Sequence, residues 1–170
     1  MKKELGVHPY LFPMPVLMIA TYGEDGVVLN IADYQDYIKY YWDYVDGHPN
    51  GRNVAINADG SMAWGGICAE NMVSLNIDEG HKTSENIKKR GAFTLSIADI
   101  PHIEAADFFG IASGNDIDDK FERSGLHAVK SEKVDAPVVE EFPLTLECKV
   151  AELQHTAYGF RVLGEIVDVL

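Results

Sequence analysis

A chain of 170 residues with 46% hydrophobic and 24% charged side chains has the composition of one ordinary globular domain, which at this size buries on the order of 70% of the surface its unfolded chain exposes. Its 27 acidic and 14 basic side chains give a formal charge of -13, which argues against a broad electrostatic grip on nucleic acid or on an anionic membrane, so any anionic ligand must be held locally. Cys68 and Cys148 are too few for a disulfide-stapled scaffold, and two isolated, reduced, largely buried thiols are expected.

The N-terminal residues run into His8-Pro9 without a long apolar stretch, so no signal peptide is read there and a cytoplasmic location is expected. Residues 16–22 form a near-continuous apolar strand, Gly23-Glu24-Asp25-Gly26 a turn, and residues 27–31 a hairpin partner. In residues 32–45, Tyr34, Tyr37, Tyr41 and Tyr44 recur at threes and fours, which predicts a short amphipathic helix with an aromatic stripe. Residues 46–51 break it, and residues 53–57 can add a short strand before the turn at Asp59-Gly60.

The run Met62-Ala63-Trp64-Gly65-Gly66-Ile67-Cys68 ends a strand on two glycines, where backbone can come close to something flat or anionic. Residues 72–77 alternate, with Met72, Ser74 and Asn76 on one face, and residues 92–97 repeat the pattern. Between them, residues 83–89 predict a helix capped by Thr83 or Ser84 and ended by Gly91. Two strands, a glycine pair and a helix start bearing hydroxyl and amide groups suit a nucleotide cofactor. Helices are predicted at 103–110 and 118–125, a long strand at 143–150, and a last pair of strands in 158–170 turning near Gly164. Many strands with short helices predict a mainly β protein, closed or partly closed into an antiparallel barrel.

Several segments, in order, carry a resemblance: Pro13-Met14-Pro15-Val16, Ala63 through Cys68, Thr83-Ser84-Glu85-Asn86-Ile87, Ala105 through Gly110, Ser113-Gly114, Asp119-Lys120-Phe121, Gly125-Leu126 and Asp135-Ala136-Pro137. The chain resembles the flavin reductase-like proteins with an FMN-binding split β-barrel, and among them flavoredoxins. That resemblance implies one domain over residues 1–170, a homodimer, and noncovalent FMN rather than FAD. It implies hydride or electron transfer through the flavin, with NAD(P)H as a transient donor and a redox protein or small planar molecule as acceptor. It places Ala63, Trp64, Gly65, Gly66, Ile67 and Cys68 beside the cofactor. Lys82, Thr83 and Asn86 fall at the phosphate, and Ser113, Gly114 and Lys120 where a loop closes near the flavin. The residues also admit plainer roles: Thr83 as an N-cap, Lys120 as a solvated lysine, Trp64 as core.

Two departures from the family pattern bear on function. Where relatives usually place an arginine after the strand ending at Ile77, this chain has Asp78-Glu79, and a carboxylate facing a phosphate opposes binding. Lys82, Lys88 or His81 could compensate. The second departure is a Tyr-rich helical insertion at about residues 27–50, with Tyr34, Tyr37, Tyr40, Tyr41, Tyr44 and Trp42, which could be a lid over a planar ligand, dimer surface or a helix packed on its own barrel. A barrel that has lost its cofactor and binds through this insert is the rival reading. The 6 histidines lack metal-ligand spacing, no P-loop is present, and Asp118-Asp119 and Glu140-Glu141 read as solvated surface.

Overall fold

A computed structural model of the chain describes residues 17–23, 27–28, 64–111, 119–157 and 159–170. Among these residues are nine strands and short helices: β1 (Leu17–Tyr22), β2 (Val27–Val28), β3 (Trp64–Ala69), β4 (Met72–Ile77), α1 (Lys82–Arg90), β5 (Ala92–Ile97), a 3-10 turn (Ile100–His102), α2 (Ile103–Ile111), α3 (Lys120–Ser124), β6 (Ala128–Lys130), β7 (Pro137–Val139), β8 (Leu144–Thr156) and β9 (Gly159–Val169). Seven of the strands form one sheet in the order β2-β1-β5-β8-β9-β4-β3, and β6 pairs with β7. Every pairing is antiparallel. The mainly β class with short helices is as expected. Among the described residues the sheet runs from β2 at one edge to β3 at the other.

Strict alternation gives the sheet two buried faces. Val73, Leu75 and Ile77 of β4, Phe93 and Leu95 of β5, Cys148 of β8, and Phe160 and Val162 of β9 form one core with Ile87 of α1. On the other face Met18 and Ala20 of β1 join Ala106, Phe108 and Phe109 of α2 and Phe121 of α3. Polar side chains buried on this second face are satisfied locally: Thr94 donates to the Pro137 carbonyl at 2.6 Å, and Ser96 and Thr145 share a hydrogen bond of 2.8 Å. Such pairing removes most of the cost of burying a hydroxyl.

The predicted turn near Gly164 is not observed. Residues 159–169 are one strand, and the hairpin turns instead between Thr156 and Gly159. Gly159 has φ 116, a conformation that favours glycine. Gly164 serves packing: a Cβ there would stand 2.9 Å from Phe93 Cε1 and 3.1 Å from Val73 Cγ2. α1 and α3 stop where expected, at Gly91 (φ 65) and Gly125 (φ 69), both left-handed. Of the insertion expected at 27–50, only the backbone of β2 is described, hydrogen-bonded to β1 as the expected hairpin partner. Its remainder, including the aromatic stripe, and the strand expected at 53–57 lie outside the described residues.

Candidate functional site

The helix that follows β4 starts one residue earlier than the sequence suggests and with a different cap. His81, extended at φ -75 and ψ 142, occupies the N-cap position, and its side chain makes no capping hydrogen bond. Ser84 is buried and turns its hydroxyl back to the Asp78 carbonyl at 2.6 Å. The amides of Ser84 and Glu85 reach the His81 carbonyl at 3.0 and 3.3 Å. A helix start leaves four N–H groups without intrahelical partners. Here the amides of Lys82 and Thr83 remain without a partner among the described residues, and so does the half-buried Thr83 hydroxyl. Thr83 is therefore not the N-cap.

Lys120, the first residue of α3, is only 1% exposed, so it is not a solvated lysine. Its charge acts on His81. Burial pushes the His81 imidazole below its ordinary value, the Asp78 carboxylate opposes that shift, and Lys120 adds to it. A buried lysine thus lies within electrostatic range of the α1 start, where the helix dipole is positive.

Both residues of the acidic pair that departs from the family pattern have partners within the described residues. Asp78 Oδ1 accepts from the Gly80 amide at 2.8 Å, closing the turn into α1. Glu79 pairs with Lys88 at 2.9 Å and with His155 at 3.1 Å, and the Lys88 hydrogen bond leads the effects that hold its carboxyl below the usual range. Lys82 pairs with Glu85 at 3.2 Å along the helix. Asn86 is buried and donates to Thr21 Oγ1 at 3.0 Å, which ties α1 to β1.

At the opposite edge of the sheet the two glycines of β3 do different things. A Cβ on Gly65 would collide with the Ser74 carbonyl oxygen and approach Leu75 Cα to 2.9 Å, so this glycine is required by the β3–β4 pairing. A Cβ on Gly66 would meet nothing within 4 Å among the described residues, so none of them covers its face. Gly66 stands opposite Ser74, and Trp64 opposite Asn76. Asn76 in turn stands opposite Arg161 of β9, whose Nε donates to Asn76 Oδ1 at 3.5 Å. Directly opposed residues share a sheet face, so Gly66, Ser74, Asn76 and Arg161 line one surface that leads along the chain into Asp78 and α1. Asn76 and Arg161 are not among the sequence candidates, and His81 enters there only as a residue that could offset Asp78-Glu79. Asn76 had been placed on the right face by alternation, whereas Arg161 joins it only through strand pairing.

Ile67 is 63% exposed, and Cys68 is exposed as well, contrary to the expectation of two buried thiols. Cys148 is buried, and burial, with the Glu147 charge second, pushes its thiol up to about 12. Ala63, Ser113, Gly114 and the side chain of Trp64 lie outside the described residues. No group of three metal-ligating side chains is found among the described residues, and no helix among them is long and apolar enough to cross a membrane.

The segment from β3 to the chain end coincides with a known family: the profile described as flavin reductase like domain matches residues 62–170. The chain belongs to the flavin reductase-like family. No curated protein sequence matches it. Among solved structures, flavoredoxin of Desulfovibrio vulgaris (Miyazaki F) is 30% identical with a TM-score of 0.74, the alignment covering 100% of this chain and 76% of that one. Flavoredoxin from Methanosarcina acetivorans is 18% identical, with a TM-score of 0.70 and coverage of 99% and 75%. An FMN-binding protein from Thermus thermophilus is 13% identical, with a TM-score of 0.65 and coverage of 100% and 79%. The latter two share the fold. This flavin reductase-like chain therefore spans about three quarters of the flavoredoxins it is similar to.

Proposed function

We propose that the protein binds FMN noncovalently and acts as a flavin-dependent oxidoreductase or electron carrier. The observation that carries this reading is the donor set at the start of α1: two amides and the Thr83 hydroxyl without partners among the described residues, with the buried Lys120 in electrostatic range. Helix N-termini with free amides hold phosphate well, because the donors converge and the dipole favours negative charge. A buried ammonium strengthens such a seat, since charge-assisted hydrogen bonds gain from the low local dielectric. The residues present fit the phosphate of FMN.

Gly66, Ser74 and Asn76 would take the ring system, Gly66 by leaving its face clear and the other two by offering polar groups to its edge. FMN, when bound, supplies two-electron chemistry that the side chains cannot. What the chain contributes is grip, orientation and charge balance. Glu79 is paired to Lys88 and His155, so one of the two carboxylates that motivated a cofactor-free barrel is offset, while Asp78 closes its own turn. Lys88 supplies the cation that offsets Glu79, in the region where relatives place an arginine.

NAD(P)H oxidation separates the two versions of this function. Flavin-free protein is titrated with FMN while flavin fluorescence is followed, and the loaded protein is then mixed with NADH or NADPH under air. FMN binding with nicotinamide oxidation above the rate of free FMN supports the reductase. Binding without oxidation supports a carrier reduced by a protein partner. A protein that leaves FMN fluorescence unchanged at micromolar concentrations refutes both.

A further inference from the structure

Resting on that reading, we propose that His81 takes up one proton from solvent as the phosphate of FMN seats at the start of α1, so that an imidazolium–phosphate pair forms only in the loaded protein. The N-cap position is usually filled by Ser, Thr, Asp or Asn, whose side-chain oxygen covers a helix amide. His81 stands there with no capping bond, and its half-buried imidazole makes no hydrogen bond or ion pair among the described residues. The residue next to the open amides therefore carries an imidazole that is not used to hold the fold among the described residues.

The charges around it come from three elements. Asp78, on the turn before α1, favours the protonated ring; Lys120, on α3, and the positive end of the α1 dipole oppose it, and burial opposes it most. Lys82 and Glu85, on α1 itself, pair with each other at 3.2 Å, and Glu79 is taken by Lys88 and His155. Without a ligand the balance keeps His81 neutral at neutral pH. A phosphate carries about -1.5 to -2 charges at pH 7, enough to reverse the sign of that balance. An opposite charge at contact distance moves a titrating group by about 1–3 pKa units, so the ring is largely protonated in the complex where it was neutral before.

The sign of the consequence is fixed. Binding takes up a proton at any pH between the His81 value in the free protein, below 6.5, and its higher value in the complex. FMN affinity therefore falls as pH rises across that window and levels off above its upper end. The cofactor's own phosphate, whose second pKa is about 6, is fully ionised above pH 7 and cannot produce a fall there.

The test is calorimetric titration of flavin-free protein with FMN at pH 7.5 in two buffers of different ionisation enthalpy. Wild type is compared with His81→Gln, and Kd is measured from pH 7 to 9. Wild type is expected to take up a large fraction of a proton and to lose about tenfold in affinity over that range, the equivalent of one pKa unit. His81→Gln is expected to bind FMN with no uptake and a flat profile, and riboflavin, which lacks the phosphate, to cause no uptake in wild type. The His81 ring proton resonances of wild type, followed by NMR with and without FMN, give the same answer if the variant folds poorly: the titration midpoint must move up on binding. FMN binding without proton uptake, or equal uptake in His81→Gln, overturns the proposal and leaves the FMN reading standing. Failure of wild type to bind FMN overturns both.

Discussion

The two ends of α1 are built on opposite terms. At the C-terminal end Gly91 closes the helix by donating to the Ile87 carbonyl at 2.9 Å. There Arg90 reaches the carbonyls of Gly23 (2.8 Å) and Tyr22 (3.4 Å) and the carboxylate of Asp135 (3.2 Å). Donors and acceptors are matched within the protein, and the helix is anchored to β1. At the N-terminal end two amides, a hydroxyl and an imidazole are unmatched among the described residues, within electrostatic range of a buried lysine. An unmatched polar group costs stability when shielded from water, so a helix whose one end is satisfied and whose other end is open among the described residues offers that end to a ligand. Substitutions at the two ends should therefore separate cleanly into those that move stability and those that move binding.

The largest expected effect is on the binding side. Lys120→Met keeps the length of the side chain and removes the buried charge, and FMN affinity should drop by about 100-fold, on the order of 2–3 kcal/mol. Titration of FMN fluorescence measures it, and an unchanged Kd would remove Lys120 from the seat. Next is the anchoring end: Arg90→Ala should lower unfolding stability by about 1–2 kcal/mol, the scale of leaving part-buried carbonyl groups without a charged donor, with FMN affinity of the folded protein unchanged. Urea unfolding checks the first part and the same titration the second. A loss of FMN affinity matching that of Lys120→Met would break the separation of the two ends.

Thr83→Ala should weaken FMN about tenfold, the scale of a hydrogen bond to a charged group, and leave the urea midpoint where it is, because the hydroxyl caps nothing. A large shift of the midpoint would return Thr83 to a structural role. The smallest effect is a pH dependence of the flavin-free protein. His81 has a lowered value in the folded state, so the unfolded chain binds the proton more readily and favours unfolding as pH falls. The contribution is fully present above the unfolded value near 6.5 and is lost as pH falls through the folded value. Between pH 7.5 and 5.5, wild type should lose more unfolding stability than His81→Gln; parallel losses would mean that His81 titrates alike in both states.

Alternation carried most of the fold. Residues 72–77 and 92–97 read as strands because a period of two is written directly into them, and Gly91 and Gly125 read as helix stops because glycine alone takes a left-handed φ cheaply. Gly164 misled for a related reason: a glycine inside a strand looks like a turn, whereas here the ring of Phe93 occupies the space a side chain would need. Gly65 and Gly66 are alike in sequence and differ only once β4 is paired against them. At the site, Thr83, Lys82 and Lys120 were legible as residue types in a familiar order. That Lys120 is buried, that His81 takes the N-cap, and that Arg161 lies across from Asn76 depend on tertiary placement, which local pattern does not encode.

The measurement that bears most directly on the phosphate seat at α1 is the affinity of the flavin-free protein for FMN against riboflavin, which differ only in the phosphate. FMN should bind at least about 100-fold more tightly, in keeping with several charge-assisted hydrogen bonds. Equal affinity for the two would mean that the open end of α1 does not hold the cofactor.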